Sequence, residues 1–398
     1  MNGAAPLPID KLARGTAVGV AGYCTFINLY SPQALLPSLA AEFSVSAAVI
    51  SATMTAGTLA VALTAPFSGA VADVIGRKRV ITASMLALAF PTLMIATASD
   101  VQSIIVWRFI QGLTLPSIFA VIIAYIGDEW PASEVAGMAG IYTSGASLGG
   151  FSGRFVTGIL ADLVGWRSAH VVLALMTLLG AAVVAALLPR ERRFVKSESL
   201  KASLRQMLSH LRNPQLVATY AVGFGTLFNF IATFTYINFL LAAPPYAFSA
   251  TLLGAVFLVY LLGAAITPLT GRFIHRLGRR PFMIGNCAVW LCGILLTLIP
   301  SLTAIIAGLA VCAVCGLISQ AISTGYVTLT AQEGRSSAVG LYVTIFYTGG
   351  SFGALLAGLA WEQAGWPGCV ALVCAMIVVI AAVVAAMWHG KPAASASA

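Results

Sequence analysis

The stretch Gly69–Arg79, with the sequence GAVADVIGRKR, separates two long apolar runs and carries four charged residues in a chain that has few. A weaker copy, GRFIHRLGRRP, occupies Gly271–Pro281 in the second half. A charged loop between two hydrophobic segments that recurs once in each half predicts a membrane protein built from two related halves.

The composition supports this interpretation. Of the 398 residues, 60% are hydrophobic and only 8% are charged, whereas soluble proteins carry about 25% charged residues. Such a chain cannot cover a water-facing surface, so we expect a lipid environment. The formal net charge of +9 does not indicate nucleic acid, because the basic residues cluster in alternate loops, as orientation signals of membrane proteins do.

Twelve apolar runs have the length of about 20 residues that a helix needs to cross a bilayer. We place them at about 15–38, 47–70, 80–98, 102–126, 137–160, 168–188, 215–241, 249–270, 282–300, 302–326, 337–360 and 368–388. The fold class is therefore an all-α membrane protein with twelve transmembrane helices. The first run is too long for a cleavable signal peptide, so it is interpreted as the first span.

The basic residues predict the orientation. Of the 21 Lys and Arg residues, all but three lie in loops on the side of the N-terminus. The exceptions are Arg167 on the opposite side and Arg108 and Arg154 inside spans. Both termini are therefore predicted to be cytoplasmic.

The chain divides into two six-helix bundles, at 1–188 and 215–388, joined by a polar linker at 189–214. The linker is predicted to contain a short amphipathic helix at the cytoplasmic interface, and the tail 389–398 is predicted to be disordered. Matches at an offset of 200 positions indicate that the bundles are repeats. The matched positions include Gly149 with Gly349, Gly158 with Gly358, Asp162 with Glu362, and Gly165-Trp166 with Gly365-Trp366.

The seven cysteines lie in or beside apolar runs, and Cys312-x-x-Cys315 has no histidine, carboxylate or basic residue beside it. Small-residue packing explains that pair better than a metal or redox site. We expect no disulfide, no metal and no cofactor. Four scattered histidines and the lack of an acidic cluster within the spans also argue against an enzyme.

The charged loop after span 2 and a segment of span 4 resemble motifs of the major facilitator superfamily of transporters. Gly69-x-x-x-Asp73-x-x-Gly76-Arg77-Lys78 matches that family's loop between spans 2 and 3, and Arg108-x-x-Gln111-Gly112 matches a second signature in span 4. The resemblance covers essentially the whole chain and implies two pseudo-symmetric bundles around a central substrate site.

The resemblance implies a conformational gate at Gly69–Lys78. In the family, the matching Asp and Arg form a cytoplasmic charge network that contacts the end of span 4 and the start of span 11. Asp128, or Glu129, is the candidate partner in span 4, and Glu333 precedes span 11. The alternative is a turn that only orients the protein through its positive charge.

The two arginines within spans are candidate substrate or coupling residues. A buried arginine is costly and usually faces a cavity or a partner, and helical rise places Arg108 and Arg154 at similar depth. The alternatives are that one reaches the interface or binds backbone carbonyls, and that Arg108 organises span 4 together with Gln111.

Span 5 also resembles the antiporter signature of the drug-efflux (DHA1-like) branch. This chain has Gly145, Gly149, Gly150 and Gly153 at the matching positions, but Gly150 replaces the proline and Arg154 replaces the last glycine. These glycines are expected to permit helix bending and close approach. The GG-x-x-GR motif, together with LYSPQALLP at the end of span 1, resembles the sequences of YnfM-type inner-membrane efflux permeases.

The expected function is transport of a small organic molecule across the bacterial inner membrane by a monomer without nucleic-acid partners, most simply as a proton-coupled efflux antiporter of the multidrug-resistance type. The alternative is transport of an anionic metabolite or siderophore that Arg154 and Arg108 recognise. None of the twelve Asp and Glu residues lies in the middle of a span, so proton coupling has no obvious carrier. Candidate lining residues are Asn28, Tyr30, Gln33, Gln111, Tyr142, Asn229, Tyr236, Asn238, Tyr260, Gln320 and Tyr347.

The two charged loops are predicted to be unequal, because His275 stands in the second copy where Asp73 stands in the first. A histidine cannot supply the fixed negative charge of an aspartate, and a solvated loop residue is a simpler role for His275 than a pH sensor. We therefore expect Asp73→Asn to reduce the transport rate far more than His275→Ala does. Equal losses in initial transport rates would contradict the asymmetry.

Overall fold

The computed structural model describes residues 8–191, 200–331 and 334–388, and across these ranges it is helical without strands. The helices of the first half are α1 Pro8–Tyr30, α2 Leu36–Glu42, α3 Ala47–Ile75, α4 Arg77–Ala96, α5 Val101–Thr114, α6 Pro116–Glu129 and α7 Ala132–Leu187. The linker contains α8 Leu200–Ser209 and a 3₁₀ turn, His210–Arg212. The predicted tail and Glu333 lie outside the described residues.

The second half contains α9 Pro214–Ala242, α10 Ala250–Val256, α11 Val259–Ile266, a 3₁₀ turn at Thr267–Leu269, α12 Thr270–Leu277, α13 Arg279–Leu296, α14 Leu302–Thr330 and α15 Arg335–Met387. Helix therefore occupies each of the twelve predicted positions. Within the described residues, eight helical segments are long and apolar enough to cross a membrane.

Two of these segments, α7 and α15, each hold two predicted spans. Gly165 and Gly365 interrupt them with φ angles of 83° and 59°, a conformation that glycine adopts at little cost. The chain reverses at Gly165, because Gly149 packs against Tyr23 of α1 while Gly180, after the turn, packs against the neighbouring Cys24. One glycine thus replaces the loop between spans 5 and 6.

Three other spans are broken where one helix was expected. Span 1 ends as α1 at Tyr30 and resumes as α2 at Leu36, after a turn that contains Pro32. Span 4 is divided between α5 and α6 at Leu115, immediately before Pro116. Span 8 is divided among α10, α11 and α12, and Pro268 lies within its 3₁₀ turn. Proline supplies no backbone N–H and obstructs the preceding turn, which accounts for the local breaks at Pro116 and Pro268.

The helices cluster into two compact units. Unit 1 comprises residues 1–35, 63–200 and 249–255, and unit 2 comprises 36–62, 201–248 and 256–398. The units therefore follow the predicted sequence halves except in two segments, which are α2 with the first part of α3, and nearly all of α10. Each of these segments packs with helices of the other sequence half.

Glycines bring α1 and α7 into close contact within unit 1. A methyl group added at Gly145 or Gly149 would overlap the carbonyl oxygen of Gly19 or Tyr23, and one at Gly153 would lie 2.6 Å from the carbonyl oxygen of Ile27. The spacing of four residues places these glycines along one stripe of the helix. Unit 2 repeats the arrangement, with Gly349 and Gly353 of α15 against Phe224 and Phe228 of α9.

We expect Gly149→Ala to lower the melting temperature in detergent, because overpacking a helix contact costs about 1–3 kcal/mol. The matched control is Gly140→Ala in the same helix, where an added methyl group meets nothing within 4 Å. Alanine should leave stability unchanged or slightly higher there, since it is the better helix former. Equal melting temperatures for both variants would contradict the packing role.

Candidate functional site

The first charged loop, Gly69–Arg79, forms the junction between α3 and α4. Helix α3 ends at Ile75, Gly76 has a φ of 104°, and α4 begins at Arg77. Residues other than glycine strongly disfavour this backbone conformation. Gly76 therefore permits α4 to begin directly after α3. Gly69 is exposed and has open space around its Cα.

Arg77 connects three helix ends. One of its terminal nitrogens lies 2.5 Å from a carboxylate oxygen of Asp128 at the end of α6, and the other lies 3.4 Å from Asp73 in the last turn of α3. The Arg77 side chain is only 16% exposed. The structure therefore places the expected span 4 carboxylate, Asp128, beside the loop arginine.

A third carboxylate joins this cluster from the linker. The backbone N–H of Lys78 donates to Glu191 over 3.3 Å, and a methyl group added at Gly76 would overlap a Glu191 oxygen. The Tyr125 hydroxyl also donates to the Pro189 carbonyl, over 2.8 Å. The sequence does not indicate this position of Glu191, because the residue lies in a basic run, PRERR. Folding places it at the positive N-terminal end of α4.

The second charged loop has the same turn but different partners. Gly278 has a φ of 81° between α12 and α13, and His275 is exposed. The Arg279 guanidinium lies 5.8 Å from the ring centre of Tyr326, and Arg280 donates to the Ala385 carbonyl. Aromatic and carbonyl groups are thus the described contacts in this copy, in place of the carboxylates around Arg77.

Arg108 is 1% exposed and is bound by the protein itself. Its guanidinium donates to the carbonyl oxygens of Asn28 over 2.9 Å and of Leu29 over 2.6 Å, and to the Gln111 side chain. These contacts link α5 to the last turn of α1. The arrangement agrees with the organising role that was the alternative interpretation of Arg108.

The surrounding polar side chains extend this network across four helical segments. Gln111 donates to Thr92 and Asn28 over 2.7 and 3.2 Å, and Thr92 donates to Asn28 over 2.8 Å. Asn28 donates to Thr177 over 2.8 Å. Satisfied buried polar networks fix one packing arrangement, so Asn28 and Gln111 lie in a structural cluster rather than on an open surface.

Arg154 forms a separate cluster at the end of α1. It is 2% exposed, and its guanidinium carbon lies 4.0 Å from the ring centre of Tyr30. The side chain donates to Gln33 over 2.7 Å and to the Gly150 carbonyl over 2.6 Å. Three predicted site residues, Arg154, Tyr30 and Gln33, are thus brought together, with Gly150 as the carbonyl partner.

The other candidates occupy several environments. Tyr142 packs against Gly22, Tyr236 donates to the Ala354 carbonyl over 2.9 Å, and Asn238 donates within its own helix. Tyr260 lies in an aromatic cluster with Phe230, Phe234 and Phe257. Asn229 and Tyr347 are buried, whereas Gln320 is half-buried. Within each unit, the predicted residues therefore lie in several separate environments.

A groove of about 700 Å³ lies between α1 and α7 in unit 1. Glycines line much of it, together with Thr16, Tyr23 and Ser144. Lys11, also in its lining, pairs with Glu134 across the two helices over 2.6 Å. No local sequence pattern indicates this ion pair, because its residues are 123 positions apart.

A family model described as Major Facilitator Superfamily matches residues 18–242 and 222–398. The chain is 32% identical to the inner membrane transport protein YnfM of Escherichia coli K12, with 96% of this chain and 94% of YnfM covered. It is 28% identical to the MFS-type transporter YybF of Bacillus subtilis 168, with 90% and 89% covered. The solved nucleoside transporter NupG superposes with a TM-score of 0.74 over 96% of this chain and 100% of that chain at 14% identity.

We expect Arg108→Gln to lower the melting temperature strongly, because the substitution leaves buried carbonyls of α1 without their charged donor, and each such hydrogen bond is worth about 1.5–3 kcal/mol. Arg108→Lys should not restore stability, since an ammonium group lacks the planar fork. The control is Arg79→Gln, a substitution of an exposed residue in the first charged loop. An Arg108→Gln protein with the wild-type melting temperature would contradict the organising role.

Proposed function

Because the chain belongs to the major facilitator superfamily, we propose that it is a secondary active transporter that moves a small organic molecule by alternating access. It is a multi-pass protein of the bacterial inner membrane, and its relatives are transporters, not enzymes. The observation that carries the proposal is the Arg77 cluster, in which one largely buried cation meets Asp73 and Asp128 at a glycine turn.

The Arg77 cluster suits a gate that opens in every cycle. Its carboxylates are a third to a half exposed, and ion pairs at such positions are typically worth only about 0–1 kcal/mol each. The contacts therefore give a preferred geometry without locking it. We assign the cytoplasmic gate to Gly69, Asp73, Gly76, Arg77, Lys78 and Asp128, with Glu333 and the start of span 11 as its expected partners.

We assign cargo contact in unit 1 to the surface between α1 and α7. The groove there offers about 700 Å³ beside small residues and a few hydroxyl groups, a size that suits a small organic molecule. Arg108, Asn28 and Gln111 then maintain the packing of α1 rather than binding the cargo.

Our first proposal for the direction of transport is proton-coupled efflux, in which a drug, sugar or metabolite leaves the cytoplasm. The support is the similarity of α7 to the antiporter signature, together with the packing of Gly145, Gly149 and Gly153 against α1. With no carboxylate in the middle of a span, the proton carrier is assigned to a residue near a helix end or to the cargo itself.

Transport of an organic anion is the second candidate, and Arg154 favours it. A guanidinium beside an aromatic ring in a site with little water attracts a carboxylate strongly. Tyr30 and Gln33 already orient Arg154 at the end of α1. In this version, Arg154 contacts the cargo while Arg108 remains structural.

Flux into inverted membrane vesicles, measured across a panel of neutral, cationic and anionic compounds with and without a pH gradient, tests the proposal. We expect accumulation driven by the gradient, with a several-fold lower maximal rate and a nearly unchanged KM for Arg77→Gln. Arg79→Gln is the control and should transport normally.

The same assay separates the two cargo classes. Transport that is indifferent to the gradient, and that Arg154→Gln abolishes for anions alone, would overturn proton-coupled efflux in favour of the second candidate. Normal flux of an anionic substrate in Arg154→Gln would overturn the anion proposal.

A further inference from the structure

Helices α3 and α10 begin with the same local structure, although they lie in different sequence halves. A serine precedes each helix. The Ser46 hydroxyl accepts a hydrogen bond from the N–H of Val49 over 3.3 Å, and the Ser249 hydroxyl accepts one from the N–H of Leu252 over 3.5 Å. Two positions before each serine stands a residue with positive φ, Ser44 at 52° and Ala247 at 50°. Since such angles are uncommon outside glycine, their recurrence marks a repeated structure.

A carboxylate meets each of these helix beginnings. Asp162 accepts the backbone N–H groups of Ala250 over 3.2 Å and Thr251 over 2.8 Å. Glu362 accepts the hydroxyl of Ser46 over 2.6 Å. Asp162 and Glu362 occupy equivalent positions of the two repeats, so the duplication has kept both the acid and its target.

Glycines one turn earlier permit the helices to meet. A methyl group added at Gly158 would overlap the Ala250 carbonyl, and one at Gly358 would lie 2.9 Å from the Ala48 side chain. Asp162 and Glu362 lie four residues after these glycines, on the same helix face. Each repeat thus supplies a close-packed glycine and an acid that fixes the crossing helix.

The fixed helices are those that the two units share. Residues 47–62 of α3 belong to unit 2, while its remainder belongs to unit 1. In span 8, residues 249–255 belong to unit 1, and the chain from 256 onward belongs to unit 2. Asp162 therefore holds the beginning of α10 within unit 1, and Glu362 holds the beginning of α3 within unit 2.

We propose that Asp162 and Glu362 are positioning residues of the transport cycle, which hold the first turns of α10 and α3 in the described conformation and release them when the protein opens to the outside. The proposal rests on alternating access and on the predicted orientation, in which both acids face the periplasm. They form the counterpart, at the opposite membrane face, of the Arg77 cluster.

The chemistry of Asp162 suits a contact that forms and breaks. Its slight burial acts to raise the pKa, but hydrogen bonds from Thr251, Ser249 and Ala250 outweigh that effect and lower the pKa below its usual value. The carboxylate is therefore ionised at neutral pH and accepts charge-assisted hydrogen bonds. Because Asp162 is exposed, water can take over these hydrogen bonds when the helix leaves.

Cysteine accessibility tests the proposal without a known substrate. The reporters are Leu253→Cys in α10 and Ile50→Cys in α3, which are 2% and 0% exposed, each in a cysteine-free background. A membrane-impermeant maleimide is added from the periplasmic side. We expect Asp162→Asn to raise the labelling rate at position 253, and Glu362→Gln that at position 50, by about ten-fold, a factor that the loss of a charge-assisted hydrogen bond can produce.

Two comparisons separate a positioning role from loss of structure. Asp100 caps α5 by accepting the Ser103 N–H over 2.7 Å and lies on the same predicted side, so Asp100→Asn removes a helix cap without touching α3 or α10. The exchanges Asp162→Glu and Glu362→Asp retain the charge and should restore slow labelling. Melting temperatures show that each labelled protein is folded.

Unchanged labelling in Asp162→Asn and Glu362→Gln, or an equal increase in Asp100→Asn, would overturn the positioning role. Faster labelling in a protein that transports no compound of the panel would support the contact while counting against the proposed function, so the two failures are distinguishable.

Discussion

The close approach of α1 and α7 is the contact on which the first unit depends. Three glycines of α7 let its backbone rest on the carbonyl groups of Gly19, Tyr23 and Ile27, where any larger residue would intrude. This approach positions the last turn of α1. Both buried arginines bind that turn or the residues just after it, Arg108 through backbone carbonyls and Arg154 through Tyr30 and Gln33.

The distribution of charge follows from the solvent. Lipid makes an uncompensated charge within a span costly, so the chain keeps its acids near helix ends, where water or a helix N-terminus can stabilise them. Asp73 and Asp128 meet Arg77 at one set of helix ends, while Asp162 and Glu362 meet serine-capped helices at another. Each of these charged residues therefore stabilises a junction between helices.

The sequence predicted the parts of the fold that depend on local pattern. Hydrophobic length located the twelve helical positions, and the glycine of GRKR located the turn at Gly76. The partner of Arg77 was predictable because the family resemblance pointed to the end of span 4. The shared helices α3 and α10 were not, since hydropathy does not say which neighbour a helix packs against.

The buried polar residues show most clearly what the sequence cannot predict. Asn28, Gln111 and Arg108 have the composition of a binding site, yet Thr92, Thr177 and two carbonyl groups of α1 take part in satisfying them. Glu191 shows the reverse case, because its basic neighbours concealed an acid that folding brings to α4. Such roles depend on contacts between residues far apart in the chain, which no local pattern specifies.

The glycine turns at Gly165 and Gly365 have a mechanical consequence. Each joins two membrane-length helices through a single non-helical residue, so the joined ends of the two helices must move together. A displacement of the helix that carries Arg154 must pull on the following one, which carries Thr177 and through it holds Asn28. Arg154 and the buried network of α1 are therefore coupled through Gly165, and Gly365 gives the second repeat an equivalent joint.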